Sequence, residues 1–120
     1  RSEVASPTGY DPEKRVAAFV CKYGIVGHIV LEAWNEVDPL NCLYAPDEYL
    51  GYAERFMVLL HNMAPEALAR AEITGQLVRY SFHAGQLRHD PILGRAWVNR
   101  GARRRITRLI TEQMRVRCQF

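Results

Sequence analysis

The stretch "AWNEVDPLNCLYAPDEYLGY", residues 33–52, decides the fold because it marks where one helix ends and the next begins. Pro39 is expected to end the first helix, since a proline pushes the preceding residue, Asp38, out of the helical region. Pro46 is expected to open the second helix. Asp47 and Glu48 would then face the positive end of the helix dipole.

The chain before this stretch has the pattern of one long helix. Asp11 suits the N-cap and Pro12 the first helical position. Val16, Phe19, Val20 and Tyr23 follow at helical spacing and form one apolar stripe. We expect a helix over about residues 12–36, bent or split at Gly24.

After Pro46, two further helix starts are marked by proline beyond this stretch, at Pro65 and at Asp90-Pro91. The second helix is expected to close at Asn62 and the third to stop at Gly85. The predicted fold class is therefore all-α, a single-domain bundle of four to five helices over residues 11–120, after a flexible N-terminal end at 1–10. The predicted buried stripe of the second helix is Tyr49, Tyr52, Ala53, Phe56, Leu59, Leu60 and Met63. The predicted apolar face of the third helix is Leu68, Ala71, Gly75, Leu77, Val78, Tyr80 and Phe82, and that of the last helix includes Ile106, Leu109, Ile110, Gln113 and Met114.

Composition favours an intracellular globular protein. The chain has 120 residues, of which 48% are hydrophobic, and three widely spaced cysteines. An odd number of cysteines without a C-x-x-C motif argues against a disulfide framework and favours a reducing, cytoplasmic setting. We expect no membrane span, because no run of 18 apolar residues occurs. The preference for Arg over Lys is typical of a GC-rich bacterial or phage genome.

The net charge of +3 conceals an acidic middle and a basic end. Six acids and no Lys or Arg lie between Glu32 and Glu54, whereas eight Arg and one Glu lie between residues 95 and 117. Because Trp and Tyr are enriched at binding hot spots, the acidic-aromatic corner is one predicted partner-binding surface. It consists of Trp34, Glu36, Asp38, Asp47, Glu48, Tyr49 and Tyr52.

The arginine-rich last helix is the second predicted surface. Its candidate residues are Arg100, Arg103, Arg104, Arg105, Arg108 and Arg115. Four interpretations stay open for it. The arginines could form an ordinary solvated face, pair with the acidic segment of the same molecule, bind an acidic protein surface, or neutralise nucleic-acid phosphates. A homodimer through this face also stays open.

The corner resembles a family of small, all-helical bacterial proteins, among them proteins of the contact-dependent immunity type. In that family a helix ending in Trp is followed by Asp-Pro, and Asp-Glu-Tyr opens the next helix; here the matching residues are Trp34, Asp38-Pro39 and 47–49. The spacing differs, since residues 35–37 separate Trp34 from Asp38. The resemblance covers about residues 28–60, and it implies a helical fold and a protein-binding role.

Catalytic motifs are missing from the sequence. It contains no phosphate-binding glycine loop and no G-x-S-x-G. Cys21 and His28 lie seven residues apart and could form a nucleophile and base, but no third orienting group accompanies them. We expect a partly buried cysteine and a hydrogen-bonded histidine instead. We therefore predict no catalytic residue, no metal site and no cofactor.

These observations favour a small protein that acts by binding another protein, of the inhibitor, immunity or counter-defence type. The alternative is a nucleic-acid-binding module that uses the arginine-rich helix. An enzyme is the third and least favoured alternative.

Overall fold

The computed structural model describes residues 9–41, 43–89 and 100–118, with side chains described throughout except at 83–89. These ranges contain four α-helices and one short 3₁₀ helix, and no strand. The helices are α1 (Pro12–Val37), α2 (Leu50–Leu60), the 3₁₀ helix (Pro65–Ala69), α3 (Ala71–His89) and α4 (Arg100–Cys118). The predicted all-α, single-domain class is confirmed. The predicted helix start at Asp90-Pro91 and residues 1–8 lie outside the described ranges.

The first helix begins as its sequence predicts. The Asp11 carboxylate accepts hydrogen bonds from the backbone N–H groups of Glu13 (3.0 Å) and Lys14 (3.3 Å), and Pro12 is the first helical residue. These bonds satisfy two of the amide groups that a helix N-terminus leaves without partners.

Gly24 bends α1, as its position predicts. Its backbone angles, φ 70° and ψ −153°, are non-helical and interrupt the helix between two regular segments. This region of conformational space is accessible almost only to glycine. The bend divides α1 into an N-terminal arm and a C-terminal segment, and most of its buried residues lie in the latter.

The end of α1 is fixed by Asp38, which adopts a left-handed conformation (φ 48°, ψ 59°) and donates its backbone N–H to the carbonyl oxygen of Trp34 at 2.8 Å. The Asp38 carboxylate accepts a hydrogen bond from the Tyr49 hydroxyl. The same hydroxyl accepts the backbone N–H of Leu40 at 3.0 Å. The fully buried Tyr49 therefore ties the chain entering α2 to the end of α1.

The second helix begins later than predicted. Residues 46–49 form a turn, and α2 starts at Leu50 without a side-chain cap. The prediction that Asp47 and Glu48 occupy the first turn of this helix is wrong, because the Asp47 carboxylate accepts a hydrogen bond from the Arg15 side chain instead.

The core joins the helices through aromatic rings. Trp34 of α1 is fully buried, with its ring centroid 5.9 Å from that of Phe56 in α2 and 5.5 Å from that of Phe82 in α3. The helix α2 packs against α1 and α3, and α4 packs against α1, α3 and the 3₁₀ helix. The buried residues that α4 adds to this core include Ile106, Ile110 and Met114, as predicted.

Two other sequence predictions for the helices are wrong. The third helix does not stop at Gly85 but continues to His89, because a single interior glycine costs only about 1 kcal/mol relative to alanine. Leu59 and Tyr80 are 41% and 55% exposed rather than buried, and Ala71 and Gln113 are also exposed. These positions lie where no helix of the described residues covers the apolar face.

Gly24 and Gly75 should respond in opposite directions to replacement by alanine. Gly24→Ala should lower the free energy of unfolding by about 1–3 kcal/mol, because alanine is strained at positive φ. Gly75→Ala should raise it by about 0.5–1 kcal/mol, because Gly75 is helical and its new methyl group would lie 3.9 Å from Thr107. Urea unfolding of the two variants measures both; equal effects would contradict the assignment of the bend.

Tyr49→Phe should destabilise the protein by about 1–2 kcal/mol, because the Leu40 N–H and the Asp38 carboxylate would each lose a partner in a partly buried setting. The matched control is Tyr44→Phe, since the Tyr44 side chain is 87% exposed. Urea unfolding should show no more than about 0.5 kcal/mol of change for this control. A similar small value for Tyr49→Phe would argue against the hydroxyl as the link between α1 and α2.

Candidate binding surface

Most of the acidic-aromatic corner faces the interior. Trp34 and Tyr49 are fully buried, and Asp47 and Tyr52 are 6% and 9% exposed. These four side chains cannot contact a partner while the protein is folded, so the prediction that they form an exposed binding surface is wrong. Their hydrophobicity and their hydrogen bonds serve the packing of α1 against α2. Of the corner residues, Glu36 and Glu48 are exposed, and Asp38 is half-buried.

Asp47 is held by two side chains from the start of the chain. Its carboxylate accepts hydrogen bonds from Arg15, at 2.8 Å, and from the hydroxyl of Tyr10. The hydrogen bond to Asp47 raises the pKa of Tyr10, and partial burial and the negative charge of Asp47 act in the same direction. Tyr10, predicted to belong to the flexible end, therefore contacts the body of the protein.

Glu32 forms a second internal cluster. One carboxylate oxygen lies 3.0 Å from Nε2 of His28, and the other lies 3.2 Å from the Arg117 guanidinium of α4. His28 therefore has a glutamate partner on its own helix, and Cys21, which we expected to be partly buried, is exposed. Within the described ranges, no three His, Cys, Asp or Glu side chains lie close enough together to hold a metal ion.

The arginine-rich helix presents its charges to solvent. Arg100, Arg104, Arg105, Arg108 and Arg115 are exposed, and Arg103 is half-buried. Arg115 donates a hydrogen bond to the backbone carbonyl of Ala69 at 2.8 Å. Among the described residues, none of the five arginines from Arg100 to Arg108 forms an ion pair.

Internal pairing between the acidic segment and α4 is limited to one contact. Of the described arginines in α4, Arg117 is the one that pairs with an acid of the 32–54 segment, through Glu32. The interpretation that the arginine stripe pairs with the acidic 32–54 segment is therefore wrong for Arg100, Arg104 and Arg108, since none of them pairs with an acid of that segment among the described residues. The acids that it would have used are instead bonded to Arg15, Tyr10, Tyr49 and His28, or lie exposed elsewhere.

An open groove of about 550 Å³ lies between α3 and α4. The two helices run antiparallel, because Gly75 lies opposite Thr107 whereas Ala69, just before α3, contacts Arg115 near the end of α4. Four arginines and one acid line the groove: Arg100, Arg103, Arg104, Arg108 and Glu72.

The floor of the groove is built from small residues, Ala71 and Gly75 of α3 and Thr107 and Thr111 of α4. The Thr107 hydroxyl donates to the carbonyl oxygen of Arg103 at 2.8 Å, and the Thr111 hydroxyl donates to that of Arg108 at 3.0 Å. Because their hydroxyl protons are used within α4, the threonines offer the groove methyl groups and no free O–H donor. The groove thus combines a narrow apolar floor with a cationic rim.

Arg103 is the arginine of this surface at which repulsion between like charges is most evident. Burial lowers the pKa of its guanidinium, and the like charges of Arg79, Arg100 and Arg104 lower it further. The guanidinium nonetheless stays protonated at any pH at which the protein is folded. Its Nε atom is buried, with no hydrogen-bond acceptor among the described residues. A cluster of cations without a counter-ion is stabilised by any anion that binds to it.

The α3 side of this groove was not predicted from the sequence. Glu72 and Gly75, which line the groove, lie three residues apart, and Arg79 follows four residues later on the same face, near Arg103. That spacing is visible in the sequence, but it also fits an ordinary solvated face. Only the packing of α3 against α4 turns it into one wall of a groove.

The helix α1 is long and apolar enough to cross a membrane by length and composition alone. In its most apolar 18-residue window, 33% is buried inside the protein. A core helix of a soluble protein also meets this criterion, so the observation is weak evidence for a membrane span.

Comparison of the chain with protein-family models, with curated proteins and with solved structures found no significant match. The resemblance of the corner to small immunity-type proteins therefore stays a prediction.

Reversing two charges on the groove rim should not destabilise the protein. The double variant Arg104→Glu, Arg108→Glu should melt at the same temperature as the parent or higher, because neither arginine forms an ion pair among the described residues and the like charge of Arg104 is removed from Arg103. The matched control, Arg117→Glu, breaks the pair with Glu32 and should cost up to about 1 kcal/mol. A larger drop in melting temperature for the double variant than for the control would show that Arg104 and Arg108 pair with acids of the same chain after all.

Proposed function

We propose that this protein is a non-catalytic binding module that recognises an acidic surface of another protein through the arginines of α4. The observation that carries the proposal is that Arg100, Arg104 and Arg108 are exposed along one groove without an acid partner among the described residues. Arginine is enriched at binding hot spots because its planar guanidinium can bond a carboxylate with two parallel N–H groups.

An inhibitory role, of the immunity or counter-defence type, is consistent with a 120-residue helical chain. A protein of this size can occlude a partner simply by covering its surface, since a standard interface needs only about 800 Å² from each side. The acidic-aromatic corner supports this role by holding α1 and α2 together, not by making contacts. We place the protein in the cytoplasm as part of the same proposal, since its three cysteines show no disulfide spacing.

Nucleic-acid binding is the second candidate, and one specific observation favours it. Arg79, Arg100 and Arg104 lie close enough to Arg103 to lower the pKa of its guanidinium, which means that positive charge is concentrated at one place on the surface. Phosphate groups neutralise such a cluster with release of counter-ions. Against this candidate, no aromatic side chain lines the groove in the described part of the chain to stack on a base.

The proposal is tested by placing a photo-crosslinking residue at Arg104 or at Val58. Val58 is a matched control because it is 64% exposed on α2, which does not pack against α4. Crosslinking in host cells should give one defined protein adduct from position 104, none from position 58, and none from position 104 once Arg100 and Arg108 are changed to Glu. An adduct that survives this charge reversal would contradict the proposal.

Nucleic-acid binding is tested by mobility shift with random duplex DNA and with RNA. If this second candidate is correct, a shift at about 50 mM salt should weaken steeply as salt is raised and should be lost in the Arg104→Glu, Arg108→Glu variant. A protein adduct without any such shift would favour the first candidate.

A further inference from the structure

We infer that the groove between α3 and α4 binds an acidic segment of the partner that also inserts at least one apolar side chain between the two helices. This inference rests on the proposed function and adds the chemistry of the bound segment. It follows from the combination of a cationic rim and a floor of small residues, because neither feature alone would require both kinds of group in the ligand.

The floor provides room for an apolar group. At Gly75 an added Cβ would lie 3.9 Å from both the methyl carbon and the hydroxyl oxygen of Thr107, which is ordinary van der Waals contact, so the helices leave room for about one methyl group at this point. A larger apolar group would occupy the open volume of about 550 Å³ that Ala71, Gly75, Thr107 and Thr111 line. The Thr107 and Thr111 hydroxyl groups donate within α4, so the floor offers methyl groups and hydroxyl oxygens that can only accept. A buried polar group would find few partners on this floor, whereas an aliphatic side chain loses only its contact with water.

The rim determines the charge of the ligand. Arg100, Arg104 and Arg108 lie four residues apart, so that their Cα atoms repeat along one face of α4 about every 6 Å. Carboxylates on successive turns of a helical segment, or on alternate residues of an extended one, can form ion pairs with guanidinium groups at this spacing. Arg103 adds a further cation behind the rim, with a buried Nε that has no acceptor among the described residues.

The single acid that lines the groove determines which way round an acidic segment would bind. Because α3 and α4 run antiparallel and Gly75 lies opposite Thr107, Glu72 lies toward the Thr111 end of the groove. Arg100 and Arg103 lie at the opposite end. The end near Arg100 is therefore the more positive one. The more acidic end of the bound segment should lie there.

The inference is tested with two fluorescent peptides of about 12 residues, long enough to follow the groove from Arg100 to Thr111. One carries Glu on its polar face and Leu at positions i, i+4 and i+7, and the other carries Ser in place of each Leu. Fluorescence anisotropy should show that the Leu peptide binds the parent roughly tenfold or more tightly than the Ser peptide. Equal binding of the two would overturn the inference while leaving the arginine surface as the binding site.

Substitutions that fill the floor of the groove distinguish the contribution of the floor to binding from that of the rim arginines. Gly75→Leu should reduce binding of the Leu peptide to the level of the Ser peptide and leave binding of the Ser peptide unchanged. Gln76→Leu is the matched control, because Gln76 is the next residue of α3, is exposed and does not line the groove. Ala71→Leu, at the exposed first position of α3, fills the same floor from its other end and replaces Gly75→Leu if that variant does not fold.

Two further outcomes distinguish a failure of this inference from a failure of the proposed protein-binding function. If Gly75→Leu and Ala71→Leu both fold and both keep full affinity for the Leu peptide, the inference fails. If neither peptide binds and an oligonucleotide of equal charge does, the inference fails and the nucleic-acid candidate replaces the protein-binding one.

Discussion

The arrangement of the helices depends on the burial of Trp34. Its ring lies within 6 Å, centroid to centroid, of Phe56 in α2 and Phe82 in α3, so that one side chain joins three helices. Its Nε1 lacks a hydrogen-bond acceptor among the described residues, which costs about 1–3 kcal/mol. Burial of the large indole offsets this cost. With Trp34 inside, α1 must end close to α2, and the residues between them form a tightly bonded corner.

The same constraint explains why part of the acidic segment is bonded within the chain. Asp38 and Asp47 lie on the two sides of the corner, where Tyr49, Arg15 and Tyr10 bond to them. Glu32 extends the pattern by pairing with His28 and with Arg117 of α4. Half of the six acids thus stabilise contacts between parts of the same chain. The arginines of α4 are left without these partners, and the balance of exposed charge on that helix is positive.

The groove arises from the choice of small residues where α3 meets α4. Gly75 and Thr107 face each other, and a larger residue at either position would fill the space between the helices. Gly75 also weakens α3 relative to alanine by about 0.5–1 kcal/mol. Gly75 and the cluster of like charges around Arg103 both lower the stability of the folded protein, and no contact among the described residues compensates for this. Such a combination is typical of a binding site, where the ligand supplies the missing contacts and charge.

By itself the sequence determined the helices, the bend at Gly24, the cap at Asp11 and the exposed arginines of α4, because these follow from local backbone preferences and from periodicity. It did not determine which acids stay free, since Asp47 accepts from Arg15, 32 residues away in the chain. Nor did it separate a buried aromatic such as Phe82 from an exposed one such as Tyr80, since it predicted both to be buried. Only the tertiary structure decided these points, because burial and ion pairing depend on which helix covers each face.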